Sequence, residues 1–209
     1  MRRYSLYLFD FDNTLFDTSA GIEAILMRAL PAVGVGYTPS LFQGTLGLSM
    51  DQVFDKYVGD PALYDTYTDE FMKVVQSDAY LTAKPFPETR KVLEELVRRG
   101  ARIGIVSGKK RYKIERLMGD WGMGDIPEFI VGFDDTERHK PHPDPIQKAL
   151  DFFGIPLDDV LYVGDSPNDP AAAKAAGIDC AVVNRHDGST PDGLPCTYEV
   201  GSLTGILDC

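Results

Sequence analysis

From Pro85 onward the chain alternates short apolar runs with helical periodicity, and this alternation narrows the possible folds more than any other feature. After Pro87, the residues Val92, Leu93, Leu96 and Val97 recur at helical spacing up to Gly100, placing proline at the start of the pattern and glycine past its end. Residues 102–107 read as a strand and 109–118 as a helix. Further strands are expected over 129–131, 160–163 and 180–183, with helices over 145–153 and 170–176 that stop at Gly154 and Gly177. Near the start, residues 4–9 form an almost continuously apolar run, the pattern of a strand buried on both faces. Strands separated by helices call for right-handed crossovers. The expected fold is therefore α/β, a doubly wound, Rossmann-like parallel sheet.

Between these parts, residues 17–82 show no convincing strand. Ile22, Ile25, Leu26, Ala29 and Leu30 recur at helical spacing, as do Val53, Phe54, Tyr57 and Val58, then Phe71, Val74 and Val75. The expected organisation is an α/β core of residues 1–16 and 83–209, carrying an inserted helical domain of residues 17–82.

Composition bears on partners. The chain carries 21 basic and 32 acidic residues, a net charge of −11. That balance disfavours partners held by phosphate neutralisation, so neither nucleic acid nor an anionic membrane is expected. Cys180, Cys196 and Cys209 are an odd number without metal-ligand spacing, which reads as free thiols in a reducing cytoplasm. Residues 4–9 are too short an apolar run for a signal segment and end in Asp10 and Asp12. No run approaches the roughly 18 to 20 apolar residues of a membrane helix.

In a doubly wound sheet, ligands gather beyond the carboxyl ends of the strands. There the first strand delivers Asp10-Phe-Asp12-Asn13-Thr14, the second Ser107-Gly108, and the fourth Gly164-Asp165-Ser-Pro-Asn-Asp169, while Lys140-Pro-His-Pro-Asp144 precedes a helix. Were the first strand to continue extended, Asp10 and Asp12 would share one side. With Asp165 and Asp169 they would crowd up to four carboxylates, a cost that a hard divalent cation relieves; Mg²⁺ is the usual choice beside phosphates. A phosphoryl group would then be clamped between metal, Lys140 and the Ser107 hydroxyl. Each piece alone has a plainer explanation: Asp-x-Asp as a turn or cap, Gly-Asp-Ser-Pro-Asn-Asp as a helix entry, Lys140 as a surface lysine. Their joint placement at strand ends is what favours chemistry.

Taken together, the four segments resemble the signatures of the haloacid dehalogenase superfamily, and within its phosphatase branch the chain is similar to phosphoglycolate phosphatases. The resemblance covers almost the whole chain and implies a helical cap inserted after the first signature. It implies Asp10 as nucleophile through an aspartyl-phosphate, and Asp12 as general acid and then base. It implies Mg²⁺ held by Asp10, the carbonyl of Asp12, Asp165 and Asp169, and phosphoryl oxygens bound by Ser107 and Lys140. Asn13, Thr14 and Gly108, within the matched segments, join the substrate-binding set. Asp12 argues against a dehalogenase, because the superfamily's dehalogenases lack that second aspartate. The expected activity is Mg²⁺-dependent hydrolysis of a small phosphorylated metabolite by a cytoplasmic monomer or homodimer. The alternatives are a sugar phosphomutase, a pyrophosphatase or nucleotidase, and a binding protein on a retired scaffold.

Four further expectations come from the residues themselves. Lys109, Lys110, Arg111 and Lys113 follow Ser107-Gly108, and cations at a helix N-terminus oppose its dipole, so Lys109 is expected to grip the anionic substrate while Lys110 and Lys113 point into solvent. The stretch 98–116 carries a net +7, against −6 over 17–82, so the overall acidity does not exclude a small phosphate ester. In the inserted block, Phe42, Gln43 and Thr45, near Gly44 and Gly47, are the candidates for reading the leaving group; Tyr37, Phe54, Tyr57, Tyr64 and Tyr67 read as core. His139, His142 and His186 are too scattered for a metal site, and His142 reads as a structural loop residue.

Overall fold

The computed structural model describes residues 3–45, 48–77, 82–185 and 196–209. Two compact units emerge, one of Met1–Asp17 with Pro85–Cys209 and one of Thr18–Lys84. The first holds a six-stranded sheet. In chain order its strands are β1 (Leu6–Phe9), β4 (Arg102–Val106), β5 (Phe129–Val131), β6 (Val160–Gly164), β7 (Asp179–Val183) and β8 (Tyr198–Val200); β2 (Phe16–Asp17) and β3 (Lys84–Pro85) are two-residue strands outside it. The spatial order is β5-β4-β1-β6-β7-β8, and every neighbouring pair is parallel.

β1 lies at the centre because Leu6, Leu8 and Phe9 need cover on both faces, and all three are fully buried. Leu6 and Leu8 point into a core shared with Ile146, Leu150 and Phe153 of α7 (Asp144–Phe153) and Ala172, Ala173 and Ala176 of α8 (Asn168–Ala176). Small residues let α8 approach the sheet closely. The remaining helices of this unit are α5 (Thr89–Arg98) and α6 (Arg111–Asp120). Phe9 stands opposite Ile105 of β4 and Val163 of β6, so the three central strands end level with one another. The chain passes from β1 to β4 and β5 on one side, then crosses to β6, β7 and β8 on the other. The carboxyl end of β1 is thus the topological switch point.

Three differences from the sequence reading stand out. The helix expected from Lys109 starts at Arg111, because Lys110 is extended at φ −58° and ψ 135°. Lys109 and Lys110 therefore belong to the loop after β4, not to a helix's first turn. The expected last strand is followed by another, β8, whose three residues are too few to show a period. The helix expected after Pro87 starts at Thr89, whose hydroxyl donates to the Leu15 carbonyl at 2.7 Å.

The second unit contains α1 (Ser19–Ala32), α2 (Pro39–Gln43), α3 (Met50–Tyr57) and α4 (Tyr64–Val75). Leu26, Ala29 and Leu30 of α1 meet Val53 and Phe54 of α3 and Tyr67 of α4 in its core. α3 begins with a reciprocal Ser49–Gln52 capping box. Phe54 and Tyr67 are buried in this core with Tyr37 and Tyr57 packed against them, as expected, and Phe42, a candidate for reading the leaving group, packs there too. Tyr64 stays partly exposed, its ring edge-on to Phe54.

Candidate active site

Immediately after β1 the chain folds back on itself. Asp10 N–H still donates to the Val163 carbonyl at 2.8 Å, but the amides of Leu15 and Phe16 both return to the Phe11 carbonyl at 3.1 Å. Asn13 takes a left-handed φ of 54° and donates its own amide to Phe16 at 2.7 Å. This turn corrects the picture of Asp10 and Asp12 side by side on one extended strand. Their carboxylates take different partners, Lys140 for Asp10 and Lys109 for Asp12.

Asp10 turns toward β6. Carboxylate oxygens of Asp10, Asp165 and Asp169 all lie within 4.8 Å of one another, and Asp169 is fully buried at the start of α8. Lys140 joins them, its Nζ 2.9 Å from Asp10 Oδ2 and 2.6 Å from Asp169 Oδ1. Ser107 is buried beyond the end of β4 and hydrogen-bonds to the Asp10 carboxylate. Thr14, also buried, donates to Asp165 Oδ1 at 2.9 Å. Four chain segments thus converge, as their order along the sequence suggests.

The electrostatics follow from burial. Desolvation pushes the Asp10 carboxyl up to about 6; Asp169 and Asp12 add to the rise, while Lys140 and the Ser107 hydrogen bond oppose it. Asp165 is held well above the usual carboxylate range, first by burial and then by repulsion from Asp169 and Asp10. Burial works against the Lys140 charge, yet Asp10 and Asp169 keep its ammonium well above the ordinary lysine range. This is a strongly anionic pocket around one cation. Its hard oxygen donors could hold a divalent metal.

Asp169 depends on a missing Cβ. A Cβ on Gly164 would sit 2.3 Å from both Cγ and Oδ2 of Asp169. That carboxylate also accepts from Ser166 N–H and Oγ–H, each at 2.8 Å. Gly164→Ala should therefore cost about 1–3 kcal/mol of stability through overpacking and displace Asp169 from Lys140. Denaturant titration checks the stability, and a loss of affinity for an added divalent cation relative to the unsubstituted chain checks the displacement.

The basic stretch 98–116 does not form a field aimed at substrate. Arg98 and Arg99 pair with Glu95, Arg102 with Glu128, Arg111 with Asp135 and Arg116 with Asp120. Lys109, expected at an exposed helix terminus, is buried, and its Nζ donates to Asp12 Oδ1 at 2.7 Å. Lys113, expected in solvent, is also buried, because α6 turns it inward beside Ile114 and Leu117. Gly108 is exposed.

Thr45 belongs to the second unit, where it is buried and its hydroxyl donates to the Phe42 carbonyl at 2.7 Å. Gln43 is exposed, and Gly47 and His186 lie outside the described residues. His142 Nδ1 is 2.9 Å from Asp144 Oδ1, within the loop that also ties Arg138 to Asp144. His139 stacks on Phe133 with ring centroids 4.0 Å apart. The cysteines are free thiols. No helix among the described residues is long and apolar enough to cross a membrane.

Two residues of the site escape sequence reasoning. Tyr162, fully buried in β6, accepts from Lys140 Nζ at 2.8 Å and donates to the Val106 carbonyl at 2.8 Å, tying the lysine to the strand that carries Ser107. A phenol within an otherwise aliphatic strand is the signal that could have found it. Arg185, after β7, donates to the Thr14 carbonyl at 2.8 Å, pairs with Glu88 and lies 3.6 Å from the Phe86 ring centroid. Nothing local marks it.

The model of the haloacid dehalogenase-like hydrolases matches residues 7–183. A phosphoglycolate phosphatase of Yersinia pseudotuberculosis is 30% identical over 190 residues, covering 82% of this chain and 77% of that protein. Pyrophosphatase PpaX of Oceanobacillus iheyensis is 29% identical, covering 84% of this chain and 81% of that protein. Among solved structures, one described as a haloacid dehalogenase-like hydrolase from Bacteroides fragilis superimposes with a TM-score of 0.88 at 30% identity, covering 98% of this chain and all of the other.

Proposed function

The chain belongs to the haloacid dehalogenase-like hydrolases, and from that membership we propose that it is a Mg²⁺-dependent phosphatase acting on a small phosphate monoester such as phosphoglycolate. The observation that carries this reading is the convergence of Asp10, Asp165 and Asp169 on Lys140, beside Ser107, at the switch point of the sheet. Relatives named phosphoglycolate phosphatase support the ester, and relatives named PpaX keep pyrophosphate in view.

The donor set suits the metal: buried carboxylates raised by mutual repulsion and desolvation are relieved by a hard cation. Asp10, Asp165 and the Asp12 carbonyl would hold Mg²⁺, with Asp169 supporting them. Bound there, Mg²⁺ would supply charge neutralisation at the phosphoryl oxygens. The protein's own groups do the rest. Ser107 and Lys140 would bind phosphoryl oxygens, with Asn13, Thr14 and Gly108 lining the same edge. An Asp10 oxygen attacks phosphorus, the ester P–O bond breaks, and the leaving oxygen takes a proton from Asp12. Water then attacks the aspartyl-phosphate, gives its proton to Asp12, and the P–O bond to Asp10 breaks. Residues 17–82, Thr45 among them, would act as the cap that selects the leaving group.

A panel of phosphoglycolate, sugar phosphates, nucleotides and pyrophosphate, assayed with and without Mg²⁺, tests the reading. The expected result is steady phosphate release from a monoester, lost on chelation. Turnover only with a sugar bisphosphate activator would mean a mutase instead, and no turnover of any compound would refute the phosphatase.

A further inference from the structure

Lys109 is built into the core as a fixed device. Its side chain is only 2% exposed, and the Nζ that reaches Asp12 lies 5.7 Å from the Phe11 ring centroid. The backbone is fastened on both sides. Its N–H donates to Ser107 Oγ at 3.3 Å, and its carbonyl accepts from Phe133 N–H at 2.9 Å. Gly132 makes this docking possible, since a Cβ there would stand 2.9 Å from the Lys109 carbonyl oxygen and 2.4 Å from Arg111 N. Held this way, the buried ammonium is fixed against the Asp12 carboxylate it pairs with.

We infer that Lys109 is a positioning residue for Asp12: by occupying Oδ1 it orients the carboxyl and assigns the travelling proton to Oδ2. The inference rests on the acid–base role proposed above for Asp12. An oxygen that accepts from an ammonium N–H uses its lone pair there, and a proton placed on it would face that N–H. The neutral acid keeps the Lys109 bond through Oδ1 as its carbonyl oxygen and donates from Oδ2. In the first half-reaction the ester P–O electron pair leaves on the departing oxygen, which takes the Oδ2 proton as Asp10 bonds to phosphorus. In the second, attacking water returns a proton to Oδ2 as the Asp10–phosphorus bond breaks. One geometry serves both steps.

The test is the dependence of kcat/KM on leaving-group acidity, measured on a series from p-nitrophenyl to p-methoxyphenyl phosphate. A p-nitrophenolate departs without a proton, whereas the more basic phenolates need one. Lys109→Met keeps the length and apolar body of the side chain. It should lose about 100-fold on p-methoxyphenyl phosphate and no more than about 10-fold on p-nitrophenyl phosphate. An equal loss across the series, or a higher KM with kcat unchanged, would show a direct substrate ligand and overturn the inference. Should Lys109→Met fail to fold, Lys109→Arg keeps a donor at altered reach and should show a smaller bias of the same sign, with a flat series again overturning it. A wild-type chain inactive on every ester would remove the phosphatase reading itself. An active wild type with a flat variant removes only the role of Lys109.

Discussion

Asp10→Asn should lower Mg²⁺-dependent phosphate release by at least ~10⁴-fold while leaving the fold intact. An amide oxygen is too weak a nucleophile to form the acyl-phosphate, and neither Asp165 nor Asp169 can substitute. Asp165 is engaged by Thr14, and Asp169 by Ser166 and Lys140. The fold should tolerate the change because it removes one of three crowded carboxyls, one that burial already pushes up to about 6. In metal-free buffer the variant should melt at or above the wild-type temperature. Residual turnover within 100-fold of wild type would place the nucleophile elsewhere.

Lys140→Met should be the most damaging change to stability at the site. The ammonium bridges Asp10 and Asp169 and is accepted by the Tyr162 hydroxyl. Removing it leaves the buried Asp10 and Asp169 and the half-buried Asp165 without their central cation, a loss of about 3–5 kcal/mol by analogy with broken buried ion pairs. It also removes a cation that the mechanism places on the phosphoryl group, so kcat/KM should fall by about 10²–10³-fold. Urea titrations with and without Mg²⁺ separate the two effects. The stability loss should be largest without metal and shrink when a divalent cation takes over the neutralisation. A loss below about 1 kcal/mol in chelator would mean that the cluster is already neutral by protonation.

Much of this site was legible because its parts are local. A strand that ends in aspartate, a glycine-bounded helix and a lysine ahead of a helix are each set by a few neighbouring residues. A sheet then gathers strand ends without further instruction. The pairing of Asp12 with Lys109 was not legible, for the opposite reason. After the turn at Asn13 the Asp12 carboxylate pairs with a lysine 97 positions later, and the Lys109 side chain is buried to meet it. The apparent +7 field dissolved in the same way, as partners such as Glu128 and Asp135 neutralised its charges across loops.

The amino-acid order by itself determined the α/β alternation, the helical insert between its halves, the carboxylates offered at the strand ends and the family to which the chain belongs. Apolar period and strand-end chemistry act within a few residues, so they can be read along the chain. Only the tertiary structure decided which carboxylates share a pocket and that Tyr162 and Arg185 belong to the site. It also decided that Lys109 is buried and pairs with Asp12. Burial and ion pairing are set by what packing brings within about 3 Å, and for Arg185 and Thr14 that meant 171 positions of intervening chain.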